Sequence, residues 1–250
     1  MLAEVQRSSG MAAQVWGRLS VVEGVEGCGK STQLQRVEHW LVASGWTEQL
    51  RQGQSGRLPP ILVTREPGGT PLGNQLRQLL LNVGASACDP IQAQTELLLY
   101  AADRAQHVAT VLRPHLQEGT LVLCDRYTDS TVAYQGYGRG LDLAMIHQLN
   151  QFATGGLSSD LTLWLDLEVE QGLARARQRS QPQDRGLDRM ELGTLAFHHQ
   201  IQAGFRSLAQ QFPERIVRID ASPEPERVTA AIQAVLEPRL QEWYPRRSHP

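Results

Sequence analysis

The sequence predicts an α/β fold in which helices cover both faces of a five-stranded parallel sheet. Short β-rich runs alternate with longer segments of helical periodicity, which is typical of this architecture. A complete G-x-x-x-x-G-K-S segment at residues 24–31 follows the first β-rich run directly, as a phosphate-binding loop does. Together these observations predict a three-layer fold of the P-loop NTPase type. The predicted strands are Leu19–Glu23, Ile61–Arg65, Leu121–Asp125, Leu161–Asp166 and Ile216–Asp220.

Helices are predicted between these strands. The first runs from about Lys30 to Ser44 and ends before Gly45, whereas the polar segment Thr47–Pro60, which has no apolar period, predicts a loop or flexible insertion. A long helix is expected from about Pro90 to Gln117, with a kink at Pro114 in its last turn. Further helices are expected at Leu141–Phe152, at Glu191–Gln211 and after Pro223.

Length and charge limit the possible classes of protein. A chain of 250 residues suits one α/β domain, which we place at residues 17–238, between a flexible N-terminal extension (1–16) and a C-terminal tail (239–250). The formal net charge of −2 argues against a protein that holds nucleic acid through a basic surface. No run approaches the roughly 20 apolar residues of a membrane span, so no membrane partner is expected.

The cysteine pattern indicates a reducing compartment. Cys28, Cys88 and Cys124 are an odd number and lack metal-ligand spacing. Because structural disulfides are rare where thiols stay reduced, we expect free thiols in a cytoplasmic protein.

The phosphate-binding loop predicts how a nucleoside triphosphate is held. Backbone N–H groups of the loop would surround the β-phosphate at the N-terminus of the following helix. Lys30, the only lysine among 24 Lys and Arg residues, would reach the β and γ oxygens, and the Ser31 hydroxyl would bind Mg²⁺. The predicted nucleotide-binding residues are Gly24, Val25, Glu26, Gly27, Cys28, Gly29, Lys30, Ser31 and Thr32.

A second polar segment, Thr64–Thr70, follows the second predicted strand. Ligands bind at the carboxyl ends of the strands in open α/β sheets, so this segment is placed at the site. Arg65 can clamp a second phosphate, and Glu66 can orient it or accept a sugar hydroxyl. The same residues also predict a helix start, with Thr70 as N-cap and Pro71 at the first helical position.

Five segments, in order and spacing, resemble the bacterial thymidylate kinase family. They are the phosphate-binding loop with Glu26, Thr64–Thr70, and residues 100–105, 125–127 and 185–191. The resemblance runs from about Leu19 to Ala221. It implies a nucleoside monophosphate kinase-like fold with a mobile lid, the substrates ATP and dTMP, the cofactor Mg²⁺ and a homodimer that pairs through the long helix.

The resemblance also implies roles for single residues. Tyr100 would stack on the thymine ring, and Arg104, four residues further on the same helix face, would donate to a base carbonyl. Asp125 would lie near the metal and Arg126 would bind the acceptor phosphate. Without the resemblance, the tyrosine fits a core position and Asp125–Arg126 fits a structural ion pair.

The resemblance implies further contacts with the substrate. One is Pro67, in the second segment, and the others follow the third predicted strand. Thr131 and Gln135 would contact the base or the sugar. Tyr134 would crowd the 2′ position and disfavour ribonucleotides, since a bulky ring can reject an added hydroxyl. The alternative is a helix-start turn in which Tyr134 packs in the core.

An arginine-rich segment predicts the lid, at about residues 175–190. It has five arginines in fifteen residues with Gly and Pro between them, so it cannot pack a core, although a solvated helix face remains the alternative. Family members carry a catalytic arginine either in the phosphate-binding loop or in the lid, and this loop has none. The predicted catalytic residues are therefore Lys30, Arg126 and, from the lid, Arg177, Arg179 and Arg185.

The predicted reaction is phosphoryl transfer from ATP to dTMP, a step in dTTP synthesis. It needs no general base, because the second pKa of a phosphate monoester is about 6 and the attacking group is already ionised at neutral pH. Two alternatives stay open on the residues alone. One is a kinase of the same fold for another nucleoside monophosphate, and the other is a P-loop NTPase switch.

Overall fold

The computed structural model describes residues 17–52, 54, 56–81, 90–179, 190 and 192–245. Its strands form one parallel sheet in the order β2-β3-β1-β4-β5. They are β1 (Arg18–Glu23), β2 (Ile61–Arg65), β3 (Leu121–Asp125), β4 (Leu161–Asp166) and β5 (Ile216–Asp220). All five predicted strands are confirmed, and β1 begins one residue early. Because the strands are parallel, their carboxyl ends meet at one edge of the sheet.

Helices connect the strands. In chain order they are α1 (Lys30–Ala43), α2 (Trp46–Arg51), α3 (Pro71–Leu81), α4 (Ala93–His107), α5 (Arg113–Gln117), α6 (Thr128–Thr131), α7 (Leu143–Thr154), α8 (Val169–Arg179), α9 (Leu195–Gln211) and α10 (Pro225–Trp243). A π-helical turn, Val108–Leu112, joins α4 to α5, and another, Val132–Gly138, continues α6. The predicted long helix is thus present, with Pro114 in the first turn of α5. None of the described helices is long and apolar enough to cross a membrane.

Alternate residues of the central strands supply two cores. Leu19 and Val21 of β1 pack with Leu112 of the first π-helical turn, whereas Val22 joins the larger cluster that includes Leu41 of α1. Each of these side chains is at most 3% exposed. Burial of a Val or Leu side chain contributes about 1.5–3 kcal/mol, so both helical layers are held firmly against the sheet.

Two sequence predictions about organisation are wrong. Residues 46–51 within the expected loop form α2, because Trp46 and Leu50 lie one turn apart and both are buried. The expected boundary at residue 238 falls inside α10, which continues through Pro238 to Trp243. Leu240 and Tyr244 are buried, so this part of the predicted tail packs with the domain. One apolar pair in a single turn is too short to show a helical period.

The predicted lid lies only partly within the described residues. Its first part is helical, since α8 extends to Arg179. Residues 180–189, with Arg185, lie outside the described residues, as do residues 1–16, Cys88 and residues 246–250. Cys28 and Cys124 are buried free thiols, as predicted.

Candidate active site

The phosphate-binding loop between β1 and α1 depends on glycine. Gly24, Gly27 and Gly29 all have positive φ, at 144°, 72° and 95°. A Cβ on Gly27 would lie 1.9 Å from the carbonyl oxygen of Gly172 in α8. Only glycine allows the loop to approach α8 so closely, and α8 therefore forms one wall of the loop.

Lys30 is held on the inner side of this loop. Its Nζ donates to the carbonyl oxygens of Gly24 at 3.1 Å and Val25 at 3.0 Å, and the residue is 8% exposed. A compact ammonium can donate to both oxygens from one point. The planar, forked guanidinium of an arginine does not match this narrow space.

Ser31 and Asp125, the two predicted metal-binding residues, meet at the carboxyl edge of the sheet. The Ser31 hydroxyl donates to Oδ2 of Asp125 at 3.3 Å. The other oxygen, Oδ1, is buried and has no hydrogen-bond partner among the residues that the structure describes. In the described part of the chain, no three His, Cys, Asp or Glu side chains cluster to hold a metal. A carboxylate and a hydroxyl suit Mg²⁺, which takes few protein ligands and completes its shell with water and phosphate.

A cavity beside the loop brings together most of the predicted substrate-binding residues. Arg65 does not line it and is exposed at the end of β2. Its lining also contains four residues that the sequence reasoning missed, Arg77, Leu81, Ser130 and Met190. The predicted residues in the lining are Glu26, Glu66, Pro67, Tyr100, Arg104, Arg126, Thr131, Tyr134 and Gln135.

Arg126 is one of three arginines that line this cavity. It has a positive φ of 70°, and its guanidinium bonds to Glu26 at 2.5 Å and lies 4.9 Å from the centre of the Tyr134 ring. The Tyr134 hydroxyl also donates to Glu26, at 2.8 Å. Burial opposes ionisation of Glu26, but the charges of Arg126 and Lys30 outweigh it and lower its pKa to about 2. Glu26 is therefore an anion between two cations.

Four hydrogen bonds hold Arg104 in the wall of the cavity. It is 1% exposed, and it donates from Nε to Glu66 at 2.8 Å and from Nη1 to Thr131 at 2.8 Å and Asn150 at 2.7 Å. Nη2 donates to the Tyr127 carbonyl at 3.0 Å. Four of its five N–H groups are thus engaged, which fixes the guanidinium and leaves one Nη2 proton for a ligand.

Glu66 supports Arg104, a role that the sequence did not predict. One carboxylate oxygen accepts from Arg104, and the other lies 2.9 Å from Nδ1 of His107, whose Nε2 lies 2.8 Å from the Thr64 hydroxyl. Glu66 is 3% exposed. With both oxygens engaged and little surface left, it holds the arginine rather than reaching for a sugar hydroxyl.

Two further buried carboxylates lie behind the cavity. Glu96 of α4 accepts from Nε2 of Gln135 at 2.7 Å and from Arg139. Glu23, the last residue of β1, accepts from the backbone N–H groups of Tyr127 and Ser130. Burial raises the pKa of Glu23 to about 7, against the lowering effect of Arg126. Neither carboxylate has a motif in the sequence, because each meets its partners only in the folded chain.

A second cavity lies between the loop, α8 and the start of α10. Cys28, Gly29 and Thr32 line it together with Ala221 and Pro223, which follow β5. Arg175 of α8 also lines it and donates to the carbonyl oxygens of Ala221 and Ser222, at 3.1 Å each. The sequence signal was a turn rich in proline at the carboxyl end of a strand, which the sequence reasoning did not use.

The structure separates the lid arginines only in part. Arg175 is bonded to the segment after β5, whereas Arg177 is exposed on α8. Arg179 ends α8, and Arg185 lies outside the described residues. The choice of the catalytic arginine therefore stays a prediction.

The fold and the site together define a class of protein, a P-loop kinase in which two cavities lie against one phosphate-binding loop. Comparison with known proteins narrows this class. A model of the thymidylate kinase family matches residues 22–232. The chain belongs to the thymidylate kinase family.

Individual relatives support this assignment along nearly the whole chain. A thymidylate kinase of Cyanothece sp. (strain PCC 7425 / ATCC 29141) is 63% identical over 229 residues, 92% of this chain and 97% of the relative. Thymidylate kinases of Acaryochloris marina and Thermosynechococcus vestitus are both 57% identical; the matches cover 92% and 91% of this chain and 99% and 90% of those relatives.

Proposed function

We propose that this protein transfers the γ-phosphoryl group of ATP to dTMP, forming dTDP. The observation that carries the proposal is the acceptor cavity, where Arg126 lies next to the phosphate-binding loop and Tyr100, Arg104 and Gln135 line the same space. A hydrolytic switch has no use for such a cavity. The family to which the chain belongs, and the names of its relatives, agree with this reaction.

The donor side is built for ATP. The phosphates enter the loop, where Lys30 exchanges its bonds with the carbonyl oxygens of Gly24 and Val25 for bonds with the β and γ oxygens. The second cavity then receives the adenine and ribose. Its walls come from α8 and from the segment after β5, which Arg175 ties together.

The acceptor side is built for a pyrimidine with the hydrogen-bonding pattern of thymine. Because the amide nitrogen of Gln135 donates to Glu96, its carbonyl oxygen is the group that can accept from a ring N–H. Arg104 supplies the donor for the neighbouring base carbonyl. Cytosine presents the opposite pattern, a ring acceptor beside an amino group, and would leave these buried groups unpaired at a cost of about 1–3 kcal/mol each.

Ser31 and Asp125 fit the Mg²⁺ that such a kinase uses, since the buried Oδ1 of Asp125 has no partner within the described part of the chain. When bound, the ion supplies positive charge that offsets the charge moving between the phosphates. Arg126 binds the acceptor phosphate, and Glu26 keeps the guanidinium in place before that phosphate arrives. A lid arginine completes the charge compensation, and no side chain needs to act as a base.

We also propose that the protein is a homodimer. α3 packs on α4 and α4 on α7, and these three helices carry large apolar side chains that remain exposed. Phe152 is 85% exposed and Leu98 is 59% exposed. An apolar surface of this kind marks an interaction site, and a second copy of the same surface is a suitable partner.

A coupled assay of ADP release with MgATP tests the function. The acceptors are dTMP, dUMP, dCMP, dGMP and AMP. We expect dTMP to give the highest kcat/KM, with dUMP lower by about 10–200-fold because one methyl group in a fitted pocket is worth only about 1–3 kcal/mol. A preference for a purine would assign the protein to another nucleoside monophosphate kinase. ADP release without any acceptor would favour the hydrolytic switch.

A further inference from the structure

We infer that Glu23 is a positioning residue for phosphoryl transfer, which acts through the hydroxyl of Ser130 to orient Arg126 toward the acceptor phosphate. The inference rests on the proposed function, because it concerns the arginine that receives that phosphate. Glu23 itself does not line the acceptor cavity, whereas Ser130 and Arg126 both do.

The Glu23 carboxylate is completely buried and accepts three hydrogen bonds. The residue is 0% exposed, and one oxygen, Oε1, accepts from the backbone N–H groups of Tyr127 at 2.8 Å and Ser130 at 3.1 Å. The other oxygen, Oε2, accepts from the Ser130 hydroxyl at 2.5 Å. Every partner of the carboxylate therefore belongs to the segment that follows Arg126.

The direction of the hydrogen bond between Ser130 and Glu23 determines whether Ser130 can accept a hydrogen bond from Arg126. A hydroxyl has one proton, and here it goes to the carboxylate, so the lone pairs of Ser130 Oγ are the groups that face Nη1 of Arg126, which donates to it at 3.1 Å. Nη1 also donates to the Gly24 carbonyl at 3.1 Å. These hydrogen bonds thus form a line with one direction of donation, from Arg126 to Ser130 and from Ser130 to Glu23.

The bond from Arg126 to Ser130 opposes the attraction of the same guanidinium to Glu26. Arg126 bonds to Glu26 from Nη2, on the side of the phosphate-binding loop. Without an acceptor at Ser130, Nη1 would keep only the Gly24 carbonyl, which belongs to the same loop. The Ser130 hydroxyl therefore keeps the guanidinium spread across the cavity, ready for a phosphate.

Glu23 also has a structural function, and the two functions can be separated. Its bonds to the Tyr127 and Ser130 N–H groups satisfy donors at the start of α6, which would otherwise be unpaired. In Glu23→Gln, the amide oxygen can keep both of these bonds. The amide nitrogen then replaces Oε2 and donates to Ser130 Oγ, which reverses the polarity of the line. Ser130→Ala removes the hydroxyl and leaves the backbone bonds to Glu23 unchanged.

The test is steady-state kinetics of E23Q, S130A and the double variant, with dTMP varied at saturating MgATP and with ATP varied at saturating dTMP. We expect each single substitution to raise the KM for dTMP about tenfold, because a hydrogen bond to a charged group is lost, while the KM for ATP stays within about twofold. The double variant should be no worse than S130A alone, since both changes interrupt the same line. Ser130→Thr keeps the hydroxyl and should recover most of the loss.

Several outcomes would overturn the inference. They are an unchanged KM for dTMP in folded S130A, an equal rise of both KM values, or independent effects that multiply in the double variant. If E23Q does not fold, the comparison of S130A with S130T still decides. A wild-type protein that prefers another monophosphate would reject the proposed substrate, and the same comparison would then be made with that acceptor.

Discussion

At the scale of single residues, Lys30 shows how geometry selects one cation over another. The remaining 23 of the 24 Lys and Arg residues are all arginine. Only inside the phosphate-binding loop, between two carbonyl oxygens about 3 Å away, does the chain use an ammonium. The sequence showed this exception, and the structure gives its steric reason.

We expect Lys30→Arg to lower kcat by about 100-fold or more although the charge is kept, because the fork cannot reach the β and γ oxygens from this position. Arg36→Lys is the matched control, since Arg36 lies on the same helix in an exposed ion pair with Glu226. It should leave kcat within about twofold, as exposed ion pairs contribute about 0–1 kcal/mol. Equal activity of wild type and Lys30→Arg would contradict the steric argument.

The buried carboxylate of Glu23 predicts a dependence of stability on pH. Burial raises its pKa to about 7, so the folded protein binds this proton more tightly than the unfolded chain does. The stabilisation is therefore complete below the ordinary pKa and is lost as the pH rises toward 7. Relative to Glu23→Gln, which does not titrate, the wild type should lose about 3 kcal/mol in free energy of unfolding between pH 5 and pH 8. Urea denaturation at both pH values measures it, and a relative gain by the wild type would refute it.

At the scale of elements, α4 supplies Tyr100 and Arg104 to the wall of the proposed acceptor cavity and Glu96 to the layer behind it. Glu96, Tyr100 and Arg104 follow at steps of four residues, which places them on one face of the helix. The sequence predicted the helix and the shared face of Tyr100 and Arg104, but not the place of Glu96 on it. It did not show that Glu96, one turn before the predicted stacking residue, sets the orientation of an amide on another element.

We expect Glu96→Gln to weaken discrimination between dTMP and dCMP by about tenfold, because a neutral amide no longer requires the Gln135 nitrogen to face it. The ratio of kcat/KM for the two acceptors measures this effect. Glu48→Gln, on the exposed surface of α2, is the control and should not change the ratio. An unaltered ratio in folded Glu96→Gln would show that Gln135 does not read the base.

The arginines of α8 and of the following segment should divide into two functions. Arg175 bonds to the segment after β5, so Arg175→Ala should mainly raise the KM for ATP. At least one alanine substitution among Arg177, Arg179 and Arg185 should instead lower kcat by more than about tenfold with little change in the KM for dTMP, as expected for a group that compensates charge during transfer. If none of the three does so, the catalytic arginine is not in the lid.

At the scale of the whole molecule, the exposed apolar surface of α3, α4 and α7 predicts the state of assembly. The mass of the wild-type protein, measured by sedimentation equilibrium, should be twice the 27.8 kDa of one chain. Phe152→Glu places a charge on this surface, at its most exposed phenylalanine, and should yield monomers. Phe212→Glu changes an exposed phenylalanine after α9 and should leave the dimer intact. A monomeric wild type would reject the homodimer.

The sequence by itself determined the strands, the phosphate-binding loop and the order of the segments that resemble the family. These features depend on local rules: apolar runs form buried strands, and glycine permits the positive φ values of the loop. Most of the residues that these segments predicted to bind the substrate lie in one cavity, partly because parallel strands bring their carboxyl ends to one edge, and their roles stay predictions.

Only the tertiary structure decided which polar groups meet. Glu23 pairs with Ser130 across 107 residues, Glu66 with Arg104 across 38, and Gln135 with Glu96 across 39. It also showed that α2 and the end of α10 are packed elements. A buried carboxylate is stable only with its donors, and those donors come from distant parts of the chain, so no local pattern can reveal the pair.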